Sequence, residues 1–337
     1  MSKACWFKGG FLISAMLIAT SCVTLRDTDP ERPPEITAEM STEEAATAAV
    51  TYGEETFQAA SRRFTERNEW PKVKEFAVSM LKSLPKDMTA RQQVLLVQLY
   101  QSSVKQLDTE VFLYLVRNEN SILRQAGWQL AAHFPRADLV PLIDAELSRI
   151  VAGSQEQNNL FPQLAKAVRA NRVKAAYTFL RLGLMGNGDD EFARAMATLD
   201  PIRSTNDFMN YLTLANSEEL RQITQKSVNV YSCIYIMKHF LAYPVNVSNP
   251  SFSQLFYYAI SRNNALSDLG KEVLQFGVNG SPAAIALLLS REPAWVQIAF
   301  VESVRRTQQP KLKVLVSELL PLASDEGVAM EIREVLR

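Results

Sequence analysis

Val111–Arg117 (VFLYLVR), Asn118-Glu119-Asn120 and then Ser121–Leu130 (SILRQAGWQL) decide the fold class. An apolar run is followed by a three-residue polar turn. A second segment then opens with an aliphatic residue, Leu123, and a small one, Ala126, with Leu130 one turn further on. Residues three, four and seven apart share one face of a helix, so the stretch reads as a helical hairpin. The plan recurs. Phe252–Ile260 leads through Arg262-Asn263-Asn264 into Leu266 and Leu269, and Ile285–Leu289 leads through Arg291-Glu292-Pro293 into Val296-Gln297-Ile298-Ala299. Leu315–Leu322 leads through Ser324-Asp325-Glu326-Gly327 into Val328-Ala329. The openings at Leu266, Val296 and Val328 stand 30 and 32 residues apart, the length of one two-helix repeat.

Working outward, the remaining segments are also helical. Ser41-Thr42-Glu43-Glu44 has a capping oxygen followed by acids in the first turn, and the helix it opens is expected to run to Trp70, before Pro71. Val73–Leu84 and Thr89–Val104 follow. Val228–Phe240 is rich in β-branched and aromatic residues but has helical neighbours, and it reads as a helix. The 12 glycines and 15 prolines in 337 residues are too few for a turn-rich β fold. The expected class is therefore all-α.

The openings of the second helices resemble those of the HEAT-like family of α-solenoids. Leu123-Arg124-Gln125-Ala126 is similar to that family's Val-Arg-x-Ala, over Asp108–Leu147 and Ser251–Arg337. Gln297 stands where the arginine would be, and Val328-Ala329 also lacks it. A diverged tetratricopeptide-like array or an irregular helical domain is the alternative. The resemblance implies an α-solenoid of antiparallel helix pairs over residues 42–337, with second helices lining an extended binding surface. It implies that Arg124 bonds polar groups of the adjacent repeat. Ser121–Phe134 and Trp295–Arg306 are the expected partner-binding helices, with Arg124, Arg305 and Arg306 as candidate partner-binding residues. Trp128 and Trp295 are expected to pack between repeats.

The N-terminus carries an address. Lys3 and Lys8 precede the uncharged run Gly9–Thr20 (GGFLISAMLIAT), which is signal-peptide length and too short to span a bilayer. Ala19-Thr20-Ser21 suits cleavage after Ser21, and Ile18–Cys22 resembles a bacterial lipobox, with Ala19 where leucine is usual. Residues 1–21 thus read as a cleaved signal peptide and Cys22 as the lipid attachment site. Residues 22–41, with Pro30, Pro33 and Pro34 among charges, read as a flexible, disordered tether. Val23 is not the aspartate associated with inner-membrane retention, which points to the outer membrane, facing the periplasm. Loss of Cys5 and acylation of Cys22 would leave Cys233 without a disulfide partner, and it reads as a small buried hydrophobe.

Composition narrows the function classes. Thirty-six basic against 36 acidic residues lack the footprint of a nucleic-acid binder. Two histidines, His133 and His239, sit beside Phe134 and Phe240 on apolar helices and read as structural. No metal site or cofactor motif is expected. Ser79-Met80-Leu81-Lys82 matches Ser-x-x-Lys without the Ser-Asp-Asn and Lys-Thr-Gly elements that chemistry requires. Gly186–Glu191 does not have the spacing of a calcium loop. The chain therefore reads as a non-enzymatic, lipid-anchored envelope scaffold or adaptor that binds a protein partner through its helical surface. The alternative is a peptidoglycan- or glycan-binding lipoprotein using Tyr231, Tyr235, Tyr257 and Tyr258. A hydrolase would need an exposed carboxylate pair such as Asp144 and Glu146.

Overall fold

The computed structural model describes residues 33–152, 162–216, 230–307 and 309–337. The described residues form 18 α-helices. They are α1 (Thr42–Tyr52), α2 (Glu54–Glu66), α3 (Trp70–Lys82), α4 (Ala90–Ser103), α5 (Thr109–Val116), α6 (Ser121–His133), α7 (Val140–Ala152), α8 (Pro162–Asn171) and α9 (Tyr177–Asn187). Then come α10 (Asp190–Leu199), α11 (Pro201–Asn216), α12 (Val230–Ala242), α13 (Gln254–Ala259), α14 (Asn264–Phe276), α15 (Pro282–Leu289), α16 (Ala294–Thr307), α17 (Pro310–Leu319) and α18 (Glu326–Leu336). Two short strands, β1 (Val245–Asn246) and β2 (Val278–Asn279), pair in parallel with Val245 opposite Val278.

The fold is all-α, with helices packed in sequential pairs: α1 with α2, α3 with α4, α5 with α6, α9 with α10 and α13 with α14. Alternate helices also pack side by side, so that α4, α6, α8, α10, α12 and α14 form a row. Toward the C-terminus α15 packs on α17 and α16 on α18. One hydrophobic core runs from Ala45 to Val335. An isolated hairpin has too little apolar surface to bury, and stacking supplies the rest.

Local chemistry sets the pairs. Asn120 and Asn263 cap α6 and α14, accepting from the amides of Ile122 and Leu266. Asp325 caps α18 through the amides of Gly327 and Val328. Each cap stands three residues before the aliphatic opening, Leu123, Leu266 or Val328. Four residues after Leu123 and Leu266 come Gly127 and Gly270. A Cβ at Gly127 would lie 2.8 Å from Val116 Cγ1, and one at Gly270 would lie 2.7 Å from the Ala259 nitrogen. Those glycines let α6 close on α5 and α14 on α13.

Two expectations are revised. The helix expected from Thr42 to Trp70 does start at Ser41 with a capping box to Glu44, but it breaks at Gly53. Gly53 has φ 102°, a left-handed conformation that glycine adopts without a Cβ penalty, and the chain turns there into α2. Trp128 is buried and meets Phe112 of the same hairpin edge-on, 5.6 Å between ring centres. The strands were not foreseen, although Val-Asn occurs at both positions. Val228–Phe240 forms a helix from Val230 on, its first two residues lying outside the described residues.

The signal peptide, Cys22 and the first part of the expected tether lie outside the described residues. Residues 33–41 carry no helix but are fastened to the body. Ile36 packs on the core, Arg67 Nη1 donates to the Ala38 carbonyl at 2.8 Å, and Arg63 donates to the carbonyls of Met40 (2.5 Å) and Ser41 (3.3 Å).

Candidate functional site

The three candidate arginines are not brought together. Arg124, on α6, donates through Nη1 to the carbonyls of Asn118 (2.8 Å) and Glu119 (2.7 Å). It therefore secures the turn of its own hairpin rather than bonding the adjacent repeat. Arg305, on α16, pairs with Glu334 (3.0 Å) and Glu331 (3.5 Å) and fastens α18. Arg306 is exposed, its Nε near the Glu302 carbonyl at 3.5 Å.

A better candidate lies on α8, α10 and α12, in the stretch where the repeat pattern is hardest to read. Each helix places a pair of polar residues three apart, and therefore on one face. The pairs are Lys166 with Arg169, Glu191 with Arg194, and Tyr235 with Lys238. Arg169 Nη2 bonds Glu191 Oε2 at 3.0 Å across α8 and α10. Arg194 is braced by Asp190 at 2.8 Å, and its guanidinium lies over the Tyr235 ring at 4.8 Å, joining α10 to α12. Such cation–π stacking is worth about 0.5–2 kcal/mol and orients the planar group. Hydrogen bonding by Asp190 raises the Arg194 pKa above its ordinary value. The Tyr235 hydroxyl is raised by burial, against the lowering charges of Arg194 and Arg169. Lys166 and Lys238 make no ion pair among the described residues. The result is a continuous polar strip across three neighbouring helices, half-buried except for exposed Lys238.

Residues considered for chemistry have structural roles. Glu146 is not exposed: its side chain is 2% accessible, held by Arg117 Nε (2.7 Å) and Arg149 Nε (2.8 Å). Burial pushes the Glu146 carboxyl up. The hydrogen bonds and charges of Arg117 and Arg149 outweigh burial and hold it below the ordinary carboxylate range. Beside it, Leu113, Tyr114, Arg117, Asn118 and Glu119 line an open recess of about 510 Å³. His239 is buried, with Nε2 3.1 Å from both the Pro201 carbonyl and Thr205 Oγ1. His133, expected on an apolar face, is exposed, with its ring edge-on to Phe134. Cys233 is buried, and burial raises its thiol to about 11. No group of three or more His, Cys, Asp or Glu residues among the described residues could hold a metal ion.

Of the tyrosines nominated as a glycan platform, Tyr258 is buried and Tyr235 lies under Arg194. Trp295, expected between repeats, is 60% exposed while touching Tyr257 edge-on, 6.0 Å between ring centres. Tyr257 in turn donates to Glu292 at 2.8 Å.

No family profile, characterised protein or solved structure matches the chain. Among the described residues no helix is long and apolar enough to cross a membrane.

The strip was missed because no single segment announces it. One signal was available: a cation or aromatic three residues from a charge on each of three successive second helices.

Proposed function

We propose that the protein is a lipid-anchored envelope adaptor whose HEAT-like solenoid body binds a protein partner. The observation that carries this reading is the Lys166–Arg169–Glu191–Arg194–Tyr235–Lys238 strip, which crosses three neighbouring helices of one row. Side-by-side packing of alternate helices from α4 to α14 supports the solenoid, because such rows create long surfaces rather than enclosed pockets. The run Gly9–Thr20 followed by Cys22 supports the anchor, and Val23 in place of an aspartate supports the outer membrane, facing the periplasm. Residues 36–41, fastened by Arg63 and Arg67, would hold the exit of the tether at the α1–α2 end of the body.

The test has two parts. The mature N-terminus, examined by mass spectrometry, should begin at an acylated Cys22, and Cys22→Ser should release the chain from the membrane fraction. In-cell crosslinking of the native chain should recover one envelope protein and lose it with Cys22→Ser. An unmodified N-terminus, or crosslinks scattered over many proteins, removes the reading.

Exposed Trp295 favours a second reading, glycan binding. In that case Trp295→Ala should abolish co-sedimentation with purified peptidoglycan.

A further inference from the structure

The chain has as many acids as bases, but its charges are not evenly placed. Of the row helices, α4, α6, α8, α10 and α12 carry Arg91, Arg124, Lys166, Arg169, Arg194 and Lys238 against Asp190 and Glu191, whereas α14 at the end of the row adds Asp268, Lys271 and Glu272. Glu191 is occupied by Arg169 and Asp190 by Arg194. Arg124 is committed to its turn, and Arg91 lies against Gly53. Lys166, Arg169, Arg194 and Lys238 remain on one strip with a net positive charge.

We propose that this strip binds an extended acidic polypeptide segment of the partner; the proposal rests on the adaptor reading and gives it a chemistry. Neighbouring packed helices lie about 8–10 Å apart, so the strip from α8 to α12 spans about 20 Å. An extended chain covers that distance in about six residues. Its carboxylates would meet Lys166 and Arg169 on α8 and Lys238 on α12, and between them Arg194 beside Asp190 and Glu191 on α10. Arg169 and Arg194 are pre-oriented by Glu191, Asp190 and Tyr235, which lowers the ordering cost of binding.

The test uses the full chain in cells, with a photo-reactive residue at Thr198, exposed one turn from Arg194, and in parallel at Arg306, outside the strip. Mass spectrometry identifies the joined segment. The product from Thr198 should lie in a segment with more Asp and Glu than Lys and Arg. The double variant Lys166→Glu/Lys238→Glu should reduce it about tenfold, and the charge-matched Lys72→Glu/Lys86→Glu should leave it unchanged. Among the described residues neither strip lysine holds an ion pair, so the strip variant should melt with the native chain. A product from Thr198 on a neutral or basic segment, or one insensitive to the strip variant, overturns the acidic-segment proposal and leaves the adaptor reading standing. Protein products from Arg306 alone do the same. Crosslinks from Thr198 to lipid, lost in the strip variant, also overturn it. Absence of a protein product from both positions overturns the adaptor reading as well.

Discussion

Arg124 and Gln297 occupy the same place in two hairpins and make the same bonds. Each follows the aliphatic residue that opens a second helix, Leu123 or Val296, and each donates to carbonyls of the segment that links it to the preceding helix. Arg124 reaches Asn118 and Glu119; Gln297 Nε2 reaches Ser290 (3.2 Å) and Glu292 (2.7 Å). Ser267, after Leu266, donates to the Ala259 carbonyl at 2.7 Å. The position thus asks for a donor that satisfies carbonyls where the first helix gives way to the turn, and charge is secondary.

Arg124→Ala and Gln297→Ala should therefore each destabilise the fold by about 1–2 kcal/mol, the net worth of one or two hydrogen bonds. Arg124→Gln should recover most of the loss. Urea unfolding of the three variants checks this; equal losses for Arg124→Gln and Arg124→Ala would show that the charge matters after all.

The glycines should respond with opposite signs. Alanine is worth about 1 kcal/mol over glycine inside a helix, provided its methyl has room. A Cβ at Gly186 meets nothing within 4 Å, so Gly186→Ala should stabilise by about 0.5–1 kcal/mol. Gly270→Ala would drive its methyl into the backbone of Ala259 and Tyr258, and Gly127→Ala into Leu115 and Val116. Both should lose about 1–3 kcal/mol, with Gly270→Ala the worse because backbone yields less than side chains. Chemical denaturation of the three single variants orders them.

Glu146 should mark the acid limb of stability. Its pKa is depressed in the fold, so its contribution is fully present above the ordinary glutamate value of about 4.3 and is lost as pH falls through the lower folded value. Glu146→Gln should cost about 1–3 kcal/mol near neutrality, less than a fully buried pair because Arg117 and Arg149 are half-exposed. Its unfolding curves below pH 4 should be correspondingly less pH-dependent than those of the native chain.

What was legible in the sequence is local. A polar turn followed by an aliphatic opening is written within a few residues, so the hairpins at Leu123, Leu266, Val296 and Val328 could be read from their residues. Gly53 was not read as a break, because the helical period continues on both sides and only a positive φ separates α1 from α2. The strip lay beyond reach for a different reason. Arg169, Arg194 and Tyr235 belong to three helices, and they meet only because alternate helices pack together. Exposure of Trp295 and burial of Glu146 likewise depend on neighbours distant in the chain.

His239 should set a second, higher pH window. Its ring stacks on Tyr243, 4.9 Å between centres, and meets Phe208 edge-on at 5.0 Å. Burial holds its imidazole below the ordinary histidine pKa, partly offset by the Pro201 carbonyl. A depressed base binds its proton more readily when unfolded. Stability is therefore full above the ordinary value of about 6.5 and is lost as pH falls through it. The melting temperature of the native chain should decline as pH falls below about 6.5, above the range in which Glu146 titrates. His239→Phe should flatten that decline. It leaves the Pro201 carbonyl a donor, since Thr205 Oγ1 also reaches it at 3.1 Å, so the fold should survive the change. The variant should be the less stable chain at pH 7.5, with the difference narrowing as pH falls. A decline of unchanged slope in His239→Phe would assign the transition to another group.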